Sequence, residues 1–512
     1  MSGLKSGALF RKSFLLVSAL FFVPGSLHSQ YYFNTRCQEA YIDILNFRFL
    51  AAERVLQKEK LENPANLIPY YLENYIDFFI LFTKENRVEF EQIKQHKSAR
   101  LDLLENGDED SPYYRFCLAG VNLQWALTRL KFGEYTTAAF EIKRAYHLLT
   151  ENQELFPQFL PNNVGLGILH ILVGLIPDDY RWLANIAGLE GSIEQGVQEL
   201  NSVLLYQGND PVFTVFKPES CFYLAFVNAN LGLNKQDALE LVRKVDQDNN
   251  FLKYNQSPLL VYVRASTYMK NGKNDEVILL LEGYQPPVGV YPIVFLDYME
   301  GLSRLNHLDL SAAKYLRKFL KEFHGINYIK SAYQKLAWCY LLQGDTVRYT
   351  QEITNAGKKG YAVVDEDKQA YSEYNVWIRP AIPLLKARLL FDGGYNQQAL
   401  NILLNTSLES YVRGKKDLTE YTYRLGRIYH EMGNIPKAIF YYTEAITNGK
   451  SLPYYYAANA ALKLGNIYER QGNYLTADTN YQICASLKYD EYENSLRQKA
   501  KAGLRRIKHS RR

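Results

Sequence analysis

One recurring spacing limits what this chain can fold into more than any other feature. In YRLGRIYHEMGNIPKAIFYYTEA, residues 423–445, Gly426 is followed seven residues on by Gly433, twelve on by Ala438 and nineteen on by Ala445, with Tyr429 and Tyr442 between them. Gly465, Tyr468, Gly472, Ala477, Tyr481 and Cys484 repeat the pattern 39 residues later. The same spacing recovers Ala126, Gly133, Ala138 and Ala145, then Ala337, Tyr340, Gly344 and Ala356, then Ala387, Gly394 and Ala399. Looser copies start at Ala40 with Ala52, Ala225 with Gly232 and Ala238, Ala265 with Tyr268 and Gly272, and Gly301 with Ala313. From Ala265 onward the starts fall at 265, 301, 337, 387, 426 and 465, a nearly continuous array with connecting loops of variable length. A period of this size marks a supersecondary unit that buries its apolar face only by stacking on its neighbours.

Each position has a physical task. Small residues at Gly426 and Ala438 let two antiparallel helices approach, and Gly433 takes the left-handed conformation that ends the first helix. The tyrosines fill the space between neighbouring hairpins. The pattern resembles the tetratricopeptide repeat, which places small residues at these positions. The resemblance implies an all-α fold, a right-handed superhelical solenoid of about nine antiparallel helical hairpins. It also implies a groove, lined by the first helix of each hairpin, that holds an extended peptide or a partner's helix. Counting three before, one after and four after the first small residue selects Leu384, Arg388 and Phe391, then Tyr423, Arg427 and His430, then Leu462, Asn466 and Glu469 as the partner-binding groove. Arg388 and Arg427 are expected to anchor a carboxylate, with His430 and Asn466 as polar clamps.

The chain has 512 residues, 47% hydrophobic and 22% charged, ordinary proportions that exclude wholesale disorder. Tyrosine is the outlier, at 42 residues. Lys5, Arg11 and Lys12 precede an apolar run from Phe14 to Val23 and then Pro24-Gly25-Ser26, the order of a secretory signal peptide. Residues 1–29 are therefore expected to direct export, with cleavage after Ser29 and an uncleaved anchor as the alternative. The expected location is the periplasm or outer-membrane periphery of a Gram-negative bacterium. The formal charge is +5, but the signal region supplies +3 and residues 497–512 supply +8, leaving about −6 for the body. The basic tail reads first as a final helix with a solvated face and second as a contact for an anionic membrane surface. No basic groove suggests nucleic acid. The five cysteines, Cys37, Cys117, Cys221, Cys339 and Cys484, are too widely spaced for a zinc site or disulfide framework and read as buried packing residues.

The sequence divides into the signal segment 1–29, an N-terminal repeat-like region 30–156, a glycine-rich apolar helical pair 157–220, the array 221–485 and a basic helix or tail 486–512. The glycine-rich block carries Gly165, Gly167, Gly174, Pro177, Gly188, Gly191 and Gly196, consistent with two helices joined near Pro177 whose backbones meet closely. Over about forty residues it also resembles a segment of a eukaryotic tetratricopeptide family linked to inclusion-body clearance, although Gly174 and Glu190-Gly191-Ser192 depart from that family's pattern.

No nucleophile elbow, Walker loop, zinc-protease or dinucleotide motif occurs, and no cofactor or metal is expected. His170, in GILHILVG, is the side chain most open to a catalytic reading, but a buried histidine satisfied by hydrogen bonding is commoner. Asp178-Asp179 read as a helix N-cap and the acidic run Glu105–Pro112 as a solvated linker, not as metal sites. Tyr31-Tyr32 and Tyr454-Tyr455-Tyr456 are candidate aromatic platforms. The expected function is an exported, non-catalytic scaffold for a protein or peptide. Two readings stand beside it: a glycan-binding accessory protein of an outer membrane, and a hydrolase with an unrecognised site.

Overall fold

The computed structural model describes residues 30–176, 188–231, 235–254, 256–489 and 493–510. The expected signal segment, the Asp178-Asp179 cap, the Pro177 joint and Gly232 lie outside them. No strand occurs among the described residues, and a single bridge joins Gln30 to Asn66.

The hairpins begin at their turns. Gly133, Gly272, Gly344, Gly394, Gly433 and Gly472 all have φ between +67° and +89°. In each case the next amide donates back over the turn, as Asn434 does to the Tyr429 carbonyl at 2.8 Å and Asn473 to the Tyr468 carbonyl at 2.9 Å. This closes the first helix in the way a left-handed C-terminal residue allows. The residue that follows then starts the second helix: the side chains of Asn434, Asn473 and Asp345 accept the amides of Lys437, Thr476 and Arg348. Glycine-then-cap is thus a local stop-and-restart signal. One hairpin performs it without glycine, with Leu308 at φ +62° while Asp309 donates to Arg304 at 2.9 Å.

In chain order the helices are α1 (Thr35–Leu45), α2 (Phe49–Glu62), α3 (Ile68–Lys84), α4 (Arg87–Ile93), α5 (His96–Leu104), α6 (Pro112–Phe132), α7 (Tyr135–Leu155), α8 (Asn162–Gly174), α9 (Ile193–Leu204), α10 (Pro211–Thr214), α11 (Lys217–Leu231) and α12 (Lys235–Gln247). The array continues with α13 (Pro258–Lys270), α14 (Asn274–Glu282), α15 (Phe295–Asn306), α16 (Ala312–Glu322), α17 (Ile329–Leu342), α18 (Thr346–Lys358), α19 (Asp365–Val376), α20 (Ile382–Asp392), α21 (Asn396–Asn405), α22 (Lys415–Glu431), α23 (Ile435–Gly449), α24 (Tyr456–Arg470), α25 (Tyr474–Ser486) and α26 (Glu493–Ser510). Every spacing found in the sequence falls on adjacent packed helices: α1/α2, α6/α7, α11/α12, α13/α14, α15/α16, α17/α18, α20/α21, α22/α23 and α24/α25. The glycine-rich pair α8/α9 packs more tightly still, since a Cβ at Gly196 would lie 2.2 Å from the Gly167 carbonyl oxygen.

In the regular hairpins the small residue makes room for a ring. A Cβ at Gly426 would fall 2.6 Å from the Tyr442 ring, and one at Gly465 2.5 Å from that of Tyr481. Both rings are fully buried. The basic helix α26 covers the open end of the array on α24 and α25, with Gly503 against the Tyr481 ring.

Among the described residues one buried core cluster extends from Tyr31, across the glycine-rich block, to Met299 and Ile326, and two further clusters pack the rest of the array. Residues far apart in the chain meet at several points. The Asn327 amide and side chain donate to Glu85 at 3.1 and 2.8 Å, and the Gly394 turn rests on the Gly272 turn so closely that a Cβ at Gly394 would meet the Gly272 oxygen at 1.9 Å. Within the C-terminal array α19 belongs to no hairpin and packs on both α17 and α18.

Candidate functional site

A cleft opens where the first helices of three consecutive hairpins, α17, α20 and α22, face the unpaired helix α19. Gln334 and Trp338 come from α17, Leu385 and Arg388 from α20, and Lys416, Glu420 and Arg424 from α22. Helix α19 supplies Gln369, Ser372, Glu373 and Val376, with Ile378 and Pro380 just beyond it, while Tyr454 and Tyr456 close the far end.

Its floor is a buried polar network around an indole. Trp338 donates from its ring nitrogen to Glu373 at 3.1 Å, and Glu373 also accepts from Gln334 at 2.7 Å and from the Tyr349 hydroxyl at 2.9 Å. Two cations lie over the same ring, Lys335 at 4.3 Å and Arg388 at 4.9 Å from its centroid. Lys335 donates to Gln334 and Arg388 to Gln369, both at 2.7 Å. Burial, and after it the Arg388 charge, pull the Lys335 ammonium down to about 7.

The α22 wall is ionic. Arg424 donates to Glu420 through Nε at 2.9 Å and through Nη2. Burial raises the Glu420 carboxyl, but the charges of Arg424 and Lys416 outweigh it and take the group down to about 2. Between α20 and α22, Arg388 and Arg427 share one carboxylate, Asp392, at 3.7 and 3.6 Å.

Of the nine residues chosen by spacing, only Arg388 lines the cleft. Leu384, Tyr423 and Leu462 are buried core, not groove surface, because the position three before the small residue turns into the interface between adjacent hairpins. Arg427 lies 4.2 Å over the ring of Phe391 and so packs α22 on α20. His430, Asn466 and Glu469 meet the tyrosines seated in the glycine notches: His430 is 3.4 Å from the Tyr442 hydroxyl, and the Tyr481 hydroxyl reaches Asn466 at 2.7 Å and Glu469 at 2.5 Å. Burial first, then the charges of Lys463 and Arg470, hold the His430 imidazole below its ordinary value. Glu469 also accepts a two-bond fork from Arg506 at 2.8 Å, so part of the basic tail serves as a structural cap. On α22 the cleft is lined one to three turns earlier than expected, at Lys416, Glu420 and Arg424. Helix α19 covers the neighbouring hairpin and moves the opening toward the start of α22.

The other candidates are absorbed by packing. His170 is buried, with Nδ1 2.6 Å from Glu199 of the facing helix α9, a partner the spacing within α8 did not disclose. The run 105–112 is a turn in which Ser111 caps α6 and Arg115 donates to the Glu109 carbonyl. All five cysteines are buried, and no cluster of potential metal ligands occurs among the described residues. Tyr31 is core while Tyr32 is exposed, and Tyr455 and Tyr456 are buried.

Comparison with known proteins places residues 419–448, from α22 through α23, in the tetratricopeptide repeat family. No curated protein matches the chain. Among solved structures, a monomeric mutant of IFIT1 with Gppp-AAAA is similar over 90% of this chain and 98% of that one, at 13% identity and a TM-score of 0.34.

Proposed function

We propose that the chain, whose residues 419–448 match the tetratricopeptide repeat, is an exported, non-catalytic scaffold that holds a protein partner by an extended, carboxylate-bearing segment in the α17–α19–α20–α22 cleft. Tetratricopeptide repeats in general serve as protein-interaction scaffolds. The observation that carries the reading is the convergence of three successive first helices on one cleft whose lining includes the cations Arg388, Lys416 and Arg424. A partner carboxylate there would gain charge-assisted hydrogen bonds while its main chain meets Gln334, Gln369 and Ser372. Export rests on the charged-then-apolar order of residues 1–29, and the cell envelope is the compartment this reading assigns.

The test is affinity capture of the full chain after crosslinking in intact cells, set beside Ser372→Trp, which fills the cleft without removing a charge, and Arg388→Gln. The reading expects one envelope protein to be captured by the wild type and lost with both variants. Equal capture by all three would place the interaction elsewhere on the molecule.

A further inference from the structure

The fold takes hold of the chain at the residue that follows the expected cleavage point. Gln30 bridges to the segment before α3: its amide donates to the Ala65 carbonyl and its carbonyl accepts from the Leu67 amide, both at 2.8 Å. The Asn66 side chain clasps Tyr32, accepting from its amide at 3.1 Å and donating to its carbonyl at 2.9 Å. Between them Tyr31 is buried, with its hydroxyl on the Leu104 carbonyl and its ring in the space that a Cβ at Gly107 would need.

The carboxamides beside this strap are engaged. Asn34, Asn63 and Asn66 donate to the buried Glu59 at 2.6, 3.1 and 2.9 Å, and Gln38 donates to the Phe33 carbonyl at 3.2 Å. The Gln30 side chain differs: it is exposed and makes no hydrogen bond among the described residues. Tyr31 also limits where a folded chain can begin. Cleavage or trimming past Gln30 would break both bonds of the bridge and put a terminal ammonium on a residue only 8% exposed, a costly place for a charge. Cleavage after Ser29 leaves Gln30 as the first residue and the strap intact.

We propose, resting on the export reading with cleavage after Ser29, that Gln30 is a modification site whose freed α-amine closes on its own side chain to form an N-terminal pyroglutamate. The Nα lone pair attacks Cδ, so that an N–C bond forms as the Cδ–Nε2 bond breaks. Nε2 leaves as ammonia with the proton that Nα gives up, and nothing is oxidised or reduced. Both reacting atoms belong to one exposed residue and the product is a five-membered lactam, so proximity is built into the side chain. An α-amine titrates near about 8, which leaves part of it unprotonated and nucleophilic at neutral pH. The ring nitrogen keeps one hydrogen, the number that the bond to the Ala65 carbonyl uses. The product has lost the terminal charge and offers an aminopeptidase no amine.

The experiment takes the full chain, expressed with its leader and purified from the cells that make it. Amines are dimethylated in denaturant at lysis, before tryptic digestion, so that a ring closed in the cell is told from one closed during handling. The expected N-terminal peptide is 30–36, ending at Arg36, lighter by one ammonia and without a dimethyl group on its first residue. Gln30→Asn, whose side chain is too short for a five-membered lactam, is expected to be cleaved at the same bond and to carry the dimethyl group on its α-amine. A dimethylated Gln30 in the wild type would overturn the modification and leave export standing. A terminus equally blocked in Gln30→Asn would overturn it too. A chain that starts at any other residue would overturn the cleavage reading and the modification with it.

Discussion

The chain uses tyrosine in two ways, and the contrast separates the regular hairpins from the N-terminal core. In α22/α23 and α24/α25 one ring sits in a notch left by a glycine on the facing helix, and its hydroxyl reaches a polar residue on that helix. This is a repeatable joint, solved within 39 residues and used again. Around Glu219 in α11 the solution is non-local. Tyr41 of α1 and Tyr75 of α3 donate to its carboxylate, Tyr71 bonds to Tyr75 at 3.0 Å, and Tyr223 approaches from α11 itself. Four hydroxyls from three helices surround a fully buried carboxyl, and no neighbouring cation contributes to its titration. A repeat carries its packing rule within itself, whereas this core depends on contacts between residues up to 178 positions apart.

The largest effect that would test this contrast comes from emptying a notch. Tyr442→Ala is expected to cost about 3–5 kcal/mol, and Gly426→Val, which drives a side chain into the same ring, about 1–3 kcal/mol. Hydrogen exchange should show the loss confined to α20–α25 while α1–α12 keep their protection. A loss spread evenly over the chain would mean that the hairpins are not local units.

A smaller effect tests the other side. Burial lifts the Glu219 carboxyl from 4.5 to about 6 against the lowering pull of its tyrosine donors. A raised folded-state value means that this contribution is fully present below pH 4.5 and is lost as pH rises through 6, by about 2 kcal/mol. Protection of α1, α3 and α11 should therefore be greater at pH 4.5 than at pH 7.5, and Glu219→Gln should flatten that slope without changing α22–α25. An unchanged slope in Glu219→Gln would assign the pH response to another group.

The smallest effect concerns the turns. Gly433→Ala places a Cβ in open space but at φ +77°, and should cost about 1 kcal/mol. Leu308→Gly should run in the opposite direction by less than that, since Leu308 also packs on both C-terminal clusters. Paired thermal melts of the two variants, shifted to opposite sides of the wild type, would confirm that both positions do the same conformational job.

What the residues disclosed follows from the same division. Turn glycines, their capping neighbours and the small-residue register are local, so the hairpin positions were legible, even where Cys484 replaces alanine. Leu308 was not, because leucine gives no sign of a left-handed backbone. Helix α19 falls in one of the connections of variable length: DEDKQAYSEYNV lacks the register, and only the step of 50 residues from 337 to 387, against 36 or 39 elsewhere in the array, marks its presence. That omission displaced the candidate groove. The rule that selected Arg388, which lines the cleft, also placed Tyr423 and Arg427 on open surface, whereas Tyr423 is buried and Arg427 packs on Phe391. The His170–Glu199 pair lay between two helices and could not be read along either one.

The most direct test of the scaffold reading is site-specific photocrosslinking in intact cells. The photoreactive residue is placed at Ser372, inside the cleft, or at Phe440, exposed on the second helix of its hairpin. The account predicts a discrete crosslinked partner from position 372 and none from 440. A partner crosslinked only from 440, or equally from both, would contradict the cleft as the binding site.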